Sequence, residues 1–261
     1  MKILKGILSM GMVSLIATGL CNAAGTKDHG NETKLDKVVS SGILRIGTTG
    51  DYKPLSYYDE KSGKYEGIEI DMAKSLADSL GVKAEFVKTT WPTLTQDVLD
   101  DKFDLAMSGI TKTYARQKVA DLSDGYITFG KTALIKKSDS NKYMTLDQLN
   151  QSNVKVGVNP GGTNEKFVRQ YLPQANITVH PVNIEIPGLV ANGTFDVMIT
   201  DSLEAERYAK ENPALTYLPN YFTKNQFGIM MKRDQALLNY VNMWLDQQKL
   251  EDKTFYGYHL K

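Results

Sequence analysis

The feature that most constrains this sequence is a strand-and-helix pattern that occurs twice along the chain. In the first half, short apolar segments typical of buried strands cover residues 43–47, 82–87 and 103–107, and helical spacing covers 71–80 and 94–99. The second half repeats the pattern, with strands over 154–158, 177–179 and 195–199 and helices over 164–171, 186–191 and 201–211. Strands that alternate with helices predict an α/β protein with parallel sheets, here in two units of roughly a hundred residues each.

Each unit contains one segment that matches a segment of the other. Phe103–Met107 and Phe195–Ile199 both begin with Phe-Asp, follow a predicted helix and lead into a loop. In open α/β sheets, ligands bind beside the loops that leave the carboxyl ends of the strands. Two sheets that face each other in this way predict a ligand cleft between them.

The first residues of the chain have the pattern of a secretory signal peptide. Lys2 and Lys5 precede an apolar run over 7–20, and small residues follow at 23–25. A membrane anchor is the alternative, but about 14 apolar residues fall short of the ~20 that a spanning helix needs. We therefore expect a signal peptide over residues 1–24, with cleavage near Ala23 or Ala24, and a periplasmic protein in a cell with an outer membrane.

Composition excludes several functional classes. The charge balance of 31 basic and 30 acidic residues lacks the basic surplus of a nucleic-acid binder. Cys21 is the only cysteine and would leave with the signal peptide, so the mature chain has no thiol chemistry or disulfide. The three histidines are scattered without ligand spacing, and no Gly-x-Ser-x-Gly or Walker-type loop occurs. We expect no metal and no organic cofactor.

The loop after the strand 103–107 has the residues of a carboxylate site. It contains Ser108, Gly109 and Thr111, and Arg116 follows five residues after Thr111. An arginine offers a planar pair of donors to two oxygens, and the hydroxyls and the glycine N–H supply further donors. A surface loop with a solvated arginine is the alternative, and the residues alone do not decide between them.

A second glycine-containing loop lies at the start of a predicted helix in the second unit. Gly161 and Gly162 precede Thr163, which would place backbone donors for an anion at a helix N-terminus. Thr163 could equally cap the helix. Glu165 follows; on the floor of an apolar cleft its neutral form would be favoured, and it could then act as an acid.

These stretches resemble the periplasmic solute-binding proteins that capture polar amino acids. The resemblance rests on Gly109–Thr111 with Arg116, Ala120–Tyr126, Gly162–Glu165 and Thr200–Asp201. It implies a type II periplasmic binding protein-like fold, with a ligand cleft between two α/β lobes joined by a two-segment hinge. The implied lobes are residues 36–132 with 224–261, and residues 133–223. In that family, the residues matching Arg116, Thr111 and Thr163 hold a ligand carboxylate, Tyr52 packs on the ligand, and Asp201 takes its ammonium group.

Within that superfamily, four stretches are similar to exported cyclohexadienyl dehydratases. They are Gly47–Tyr57, Thr90–Leu94, Gly130–Thr132 and Asn159–Glu165. The resemblance implies a carbon–oxygen lyase that converts prephenate to phenylpyruvate and arogenate to phenylalanine, a step of aromatic amino-acid biosynthesis. The implied partners are these small-molecule substrates, with no nucleic acid and no membrane after signal cleavage. Trimers occur in this enzyme family, so a homo-oligomer is compatible with the resemblance.

The expected roles follow from the reaction. Loss of water and carbon dioxide makes the ring of prephenate aromatic, so the protein needs cations, one neutral acid and a closed apolar pocket. We expect Glu165 to be the general acid. The expected substrate-binding residues are Tyr52, Lys53, Trp91, Ser108, Gly109, Thr111, Arg116, Lys131, Thr163, Asn164 and Asp201.

Simpler structural roles remain open for several of these residues. Lys131 could be a solvated edge residue, Lys53 could merely pair with Asp51, and Asp201 could only cap a helix. The alternative function is a binding protein that delivers an amino acid to a membrane importer. Lys131 and the stretches around Lys53 and Trp91 favour the enzyme.

Overall fold

The computed structural model describes residues 32–260, and the expected signal peptide with Cys21 lies outside the described residues. Within this range, no helix is both long enough and apolar enough to cross a membrane. The helices are α1 (Lys34–Ser41), α2 (Ile68–Ser79), α3 (Leu94–Leu99), α4 (Tyr114–Gln117), α5 (Leu146–Leu149), α6 (Thr163–Tyr171), α7 (Ile186–Ala191), α8 (Ser202–Glu211) and α9 (Gln235–Leu250). Short 3₁₀ turns cover Lys137–Asp139 and Asn183–Glu185.

The strands are short and follow the predicted order along the chain. They are β1 (Ile43–Thr48), β2 (Asp51–Tyr52), β3 (Ser56–Asp59), β4 (Lys64–Glu66), β5 (Lys83–Lys88), β6 (Leu105–Ala106), β7 (Asp121–Leu122), β8 (Ile127–Phe129), β9 (Lys131–Lys136), β10 (Lys155–Val158), β11 (Asn176–Val179), β12 (Val197–Asp201), β13 (Leu215–Tyr217), β14 (Asn225–Phe227), β15 (Met230–Met231), β16 (Thr254–Phe255) and β17 (Tyr258–His259).

Two five-stranded sheets form the centres of two lobes. The first sheet has the order β5-β1-β6-β15-β7, and the second has the order β11-β10-β12-β9-β13. Three strands of each sheet are parallel, as predicted. One strand of each sheet runs the other way, which the sequence pattern did not indicate: β15 and β9 pair antiparallel with both neighbours.

The chain passes between the lobes twice, side by side. β8 leads out of the first sheet and pairs antiparallel with β14, which leads back into it. The rings of Phe129 and Phe227 stack in these two segments, with centroids 3.8 Å apart. β9 already belongs to the second sheet and begins at Lys131, immediately after the first crossing.

Each sheet packs its own apolar core. The last helix packs on the first lobe, where α9 buries Leu237, Val241, Trp244 and Leu245. In the second lobe, side chains of β10 and β12 pack with Phe167 and Val168 of α6. The buried residues of these two cores thus come from separate lobes.

Candidate functional site

The site begins at one edge of the second sheet, where two oppositely charged residues are register partners. Asp201 is the last residue of β12 and Lys131 is the first residue of β9, and the two strands run antiparallel. The register therefore brings the two side chains together, with Lys131 Nζ 2.5 Å from Asp201 Oδ1. Each residue is only 3% exposed. This is a buried ion pair, which requires further hydrogen bonds to offset desolvation.

Those further bonds come from the first turn of α6. The Lys131 ammonium donates to Thr163 Oγ1 at 2.9 Å and to Asn164 Oδ1. With Asp201, these acceptors match the three protons of a lysine ammonium. Burial lowers the pKa of Lys131, while the nearby Asp201 carboxylate acts in the opposite direction. Lys131 is therefore a buried cation with three hydrogen-bond acceptors. It is not a solvated residue at the edge of the sheet, which the sequence alone had left open.

Side-chain hydroxyl groups connect the lobes at this site. The Tyr52 hydroxyl, from β2 of the first lobe, donates to Asp201 Oδ2 of the second lobe. The Thr111 and Thr163 hydroxyls lie 3.2 Å apart across the same boundary. The Tyr52 ring packs edge-to-face on Trp91, with centroids 5.7 Å apart.

The Arg116 side chain bonds to the preceding loop, for which the sequence predicted a carboxylate-binding site. Its Nη1 donates to the Thr111 carbonyl at 2.8 Å. Burial lowers the pKa of Arg116 to about 10, and Asp201 opposes that shift. Gly109 lies in the same loop with φ of +68°, where a Cβ would come within 2.5 Å of the Tyr52 ring. The loop can therefore approach Tyr52 closely only because it has a glycine there.

The cavity between these residues is very small. It encloses about 10 Å³, which is close to the space of one water molecule. Its lining consists of Tyr52, Trp91, Gly109, Asn159, Gly162, Thr163, Asn164 and Asp201. A ligand of amino-acid size therefore requires these residues to move apart.

The expected environment of Glu165 is wrong. Its side chain is 20% exposed and forms an ion pair with Arg169 at 2.7 Å, one helical turn later. Its other oxygen accepts the Gly161 N–H at 2.7 Å. That bond lowers the pKa of Glu165, and Arg169 lowers it further. The lowered pKa favours an ionised Glu165, and the first turn of α6 is a position that favours negative charge.

The same loop also corrects the expected cap of α6. The capping residue is Gly162, without a side-chain bond, and Thr163 is the first residue of the helix. Thr163 is therefore free to use its hydroxyl on Lys131 and Thr111.

Of the expected substrate-binding residues, Thr111, Arg116 and Lys131 lie behind the lining of the cavity, and Lys53 and Ser108 have other partners. Lys53 follows the inward-facing Tyr52 and so points to the other side of the chain, where its Nζ lies 4.3 Å from the centroid of the Tyr57 ring. Ser108 is buried, but its hydroxyl bonds to the Thr49 backbone N–H and to the hydroxyls of Thr49 and Ser56. Ser108 therefore connects loops within the first lobe through hydrogen bonds.

Glu204, which none of the sequence motifs indicated, is fully buried next to the site. It lies in the first turn of α8, three residues after Asp201. Thr200 Oγ1 donates to one of its oxygens, and Asn183 Nδ2 donates to the other at 2.7 Å. Burial raises the pKa of Glu204 well above its ordinary value, and the charges of Asp201 and Asp51 raise it further.

A signal for Glu204 was present in the helical spacing. Ala205 and Tyr208 form the buried face of α8, and Glu204 lies on that same face, one turn before Tyr208. A carboxylate on the apolar face of a helix marks a group whose charge is disfavoured. Asp51 was also missed; it accepts from Thr49 Oγ1 at 2.5 Å and Trp91 Nε1 at 3.1 Å, and burial raises its pKa.

Comparison with known proteins places this site in a family. Residues 44–255 match the model of the bacterial extracellular solute-binding proteins, family 3. The chain is 44% identical over 216 residues to a cyclohexadienyl dehydratase from Pseudomonas aeruginosa, covering 82% of this chain and 80% of the relative.

Two solved structures of reconstructed ancestral proteins are also similar. One is an ancestral amino acid-binding protein that is a precursor of cyclohexadienyl dehydratase; it has 41% identity and a TM-score of 0.79, over 84% of this chain and 95% of that chain. The other is an ancestral cyclohexadienyl dehydratase with 55% identity and a TM-score of 0.51, over 84% of this chain and 92% of that chain. The two-lobe fold and the family match agree, and this chain belongs to the bacterial extracellular solute-binding proteins of family 3.

Proposed function

We propose that this chain is a cyclohexadienyl dehydratase, a carbon–oxygen lyase that converts prephenate to phenylpyruvate and arogenate to phenylalanine. The observation that carries the proposal is a fully buried carboxyl group, Glu204, whose pKa burial raises well above its ordinary value, next to the buried Lys131–Asp201 ion pair. A binding protein needs charges that match its ligand, but it has no need of a proton donor. The similarity to the Pseudomonas aeruginosa dehydratase supports the same reaction.

The proposed reaction needs one proton and no redox partner. Glu204 donates its proton to the ring hydroxyl, the C–O bond breaks, and water leaves. The bond between the ring and its carboxylate also breaks, and its electron pair completes the aromatic ring as carbon dioxide departs. A well-placed acid contributes ~10²–10⁴-fold to such a step. Glu204 replaces Glu165 in this role, because Glu165 is ionised and partly exposed.

The cations of the site fit the two carboxylates of the substrate. Arg116, with the hydroxyls of Thr111 and Thr163, would hold one carboxylate. Lys131 would face the other, with Gly109 and Asn164 at the wall. Arg116 and Lys131 against Asp201 leave one net positive charge, which favours an anionic ligand.

Asp201 would allow the site to bind arogenate as well as prephenate. In the closed structure it accepts from Tyr52 and Lys131. With arogenate, the remaining lone pairs of the two Asp201 oxygens would accept from the amino group of the substrate. Trp91 and Tyr52 would form the apolar walls that exclude water from the ring.

The location and organisation of the chain belong to the same proposal. We propose cleavage of a signal peptide over residues 1–24 and a periplasmic location, supported by membership of an extracellular family. The proposed lobes are residues 36–132 with 224–261, and 133–223. A homotrimer is compatible with the proposal.

A turnover assay tests the proposal against the alternative of a transport-associated binding protein. Purified protein is mixed with prephenate at neutral pH, and phenylpyruvate is read by its absorbance in alkali. We expect many products per protein molecule, and phenylalanine from arogenate. Stoichiometric capture of an amino acid, without turnover of either substrate, would favour the amino acid-binding function of the ancestral relative.

A further inference from the structure

Asn183 connects the two lobes through a single buried amide. It begins the 3₁₀ turn Asn183–Glu185 of the second lobe and is fully buried. Its Nδ2 donates to the backbone carbonyl of Asp51 in the first lobe at 3.0 Å. The same Nδ2 donates to Glu204 Oε1 at 2.7 Å. One amide group thus contacts both the opposite lobe and the buried acid.

The orientation of this amide is fixed by its partners. The Asp51 carbonyl can only accept a hydrogen bond, so the NH₂ end of Asn183 has to face it. Among residues 32–260, the Oδ1 atom of Asn183 has no hydrogen-bond partner. A buried amide oxygen is rarely left unpaired, so the two donated bonds outweigh the loss of a bond at the oxygen.

This orientation determines which oxygen of Glu204 carries the proton. Because Asn183 can only donate at Nδ2, Oε1 of Glu204 acts as the acceptor. The proton then belongs on Oε2, whose neighbour is the Thr200 hydroxyl. That hydroxyl can accept as well as donate, so it tolerates a protonated partner. The acid is therefore held with a defined donor oxygen.

We propose that Asn183 is a positioning residue that aligns the proton donor Glu204 when the lobes close. The bond to Asp51 exists only when the two lobes are together, and the bond to Glu204 uses the same amide nitrogen. Opening of the lobes releases the amide from Asp51 and frees Glu204 to reorient. The inference rests on the proposed role of Glu204 in the dehydratase reaction.

Other groups also act on Glu204 and have to remain in place in a test. The charged or titratable side chains whose fields reach it are Asp51, Tyr52, Lys131, Asp201 and Tyr208. Neither Asn183 nor Glu204 lines the small cavity of the closed structure, and Asn183 bonds to Glu204 directly. Replacement of Asn183 should therefore act first on Glu204.

The test is the pH dependence of prephenate turnover in Asn183→Ala. An acid donor has to be protonated, so kcat/KM falls as pH rises through its pKa. The Asn183 bond stabilises the ionised form of Glu204, so its removal should move this decline to higher pH. We also expect kcat to fall at least about tenfold through misalignment, with KM changed less. The control is Ile184→Ala on the same turn, whose side chain is 37% exposed.

The direction of the pH shift distinguishes the loss of Glu204 alignment from a general loosening of the structure. A merely loosened structure would admit water to Glu204, lower its pKa and move the decline to lower pH, which would overturn the inference. An unchanged kcat and profile would overturn it as well. If Asn183→Ala does not fold, Asn183→Ser is the second variant, because serine retains one donor. Its pH profile should shift less, in the same direction. An unshifted profile in Asn183→Ser would contradict the inference. Full activity in Glu204→Gln would instead refute the proposed donor, whereas an inactive Glu204→Gln with a normal Asn183 variant would refute only the positioning role.

Discussion

Two glutamates of this protein occupy the same place in their helices, and their pKa values are shifted in opposite directions. Glu165 is the third residue of α6, and Glu204 is the third residue of α8. Glu165 is partly exposed and bonded to Arg169 and the Gly161 N–H, so its pKa lies below the ordinary value. Glu204 is fully buried near two other carboxyl groups, so its pKa lies well above it.

The difference shows that burial outweighs helix position. The N-terminus of a helix favours a negative charge by about 0.3–1 kcal/mol. Full burial can shift a carboxyl pKa by several units, each worth about 1.4 kcal/mol. The location of an acid group in the helix therefore predicts little until the face that it occupies is known.

The largest expected effect is the loss of turnover in Glu204→Gln. The amide keeps the shape and the hydrogen bonds of the side chain but has no acidic proton. We expect kcat for prephenate to fall ~10²–10⁴-fold while KM changes little. Steady-state kinetics at neutral pH measure both constants. A kcat within twofold of the wild type would assign the proton transfer to another group.

The buried ion pair next to Glu204 provides the second test. Lys131→Met leaves the Asp201 carboxylate buried without its cation, which should destabilise the protein by about 3–5 kcal/mol. The double variant Lys131→Met with Asp201→Asn should recover most of that free energy, but not the activity. Urea unfolding of the three proteins measures this. Equal stability of the single variant and the wild type would mean that the Lys131–Asp201 bond contributes little.

The stability of the protein should depend on pH with a predictable sign. The folded state holds a proton on Glu204 that the unfolded state releases above its ordinary pKa of 4.5. The free energy of unfolding therefore falls as pH rises from 4.5 towards the raised pKa of Glu204. The total loss is about 1.4 kcal/mol for each unit of pKa shift. Glu204→Gln should remove most of this slope and be more stable than the wild type at neutral pH.

A smaller slope should remain in that variant because of Glu69. Burial raises the pKa of Glu69 to about 7, against the bonds from Tyr126 and the Gly109 N–H. The residual slope should therefore end near pH 7. A wild-type stability that rises between pH 5 and pH 7 would contradict both assignments.

The smallest effect is expected for Glu165→Gln. The change weakens an exposed pair with Arg169, which is worth about 0.3–0.5 kcal/mol in a helix. Turnover should stay within about twofold of the wild type, and Arg169→Ala is the matched control for the lost pair. A strong loss of kcat in Glu165→Gln, but not in Arg169→Ala, would restore the catalytic role to Glu165.

The elements of the fold were predictable because they depend on local patterns. Helices over 94–99 and 186–191 match α3 and α7 residue for residue. The antiparallel entry of β9 and β15 was not predictable, because strand direction depends on how the chain returns between the lobes. The register that joins Lys131 to Asp201 depends on the same long-range pairing.

The sequence predicted the binding loops of the site but not the residue that we propose as its proton donor. Motif resemblance pointed to Thr163 and Asn164, which the structure brings to Lys131. It also pointed to Glu165, since sequence spacing cannot show which way a side chain faces. Asn183 had no sequence signal, because its two partners lie 132 and 21 residues away along the chain.

The protonation state of Glu204 is the central claim, and infrared difference spectroscopy measures it directly. Spectra are recorded at pH 8, where Glu69 is mostly ionised, for the wild type, Glu204→Gln and Glu165→Gln. We expect a protonated-carboxyl band in the wild type that is retained in Glu165→Gln and lost in Glu204→Gln. A band that persists in Glu204→Gln and disappears in Glu165→Gln would contradict the account.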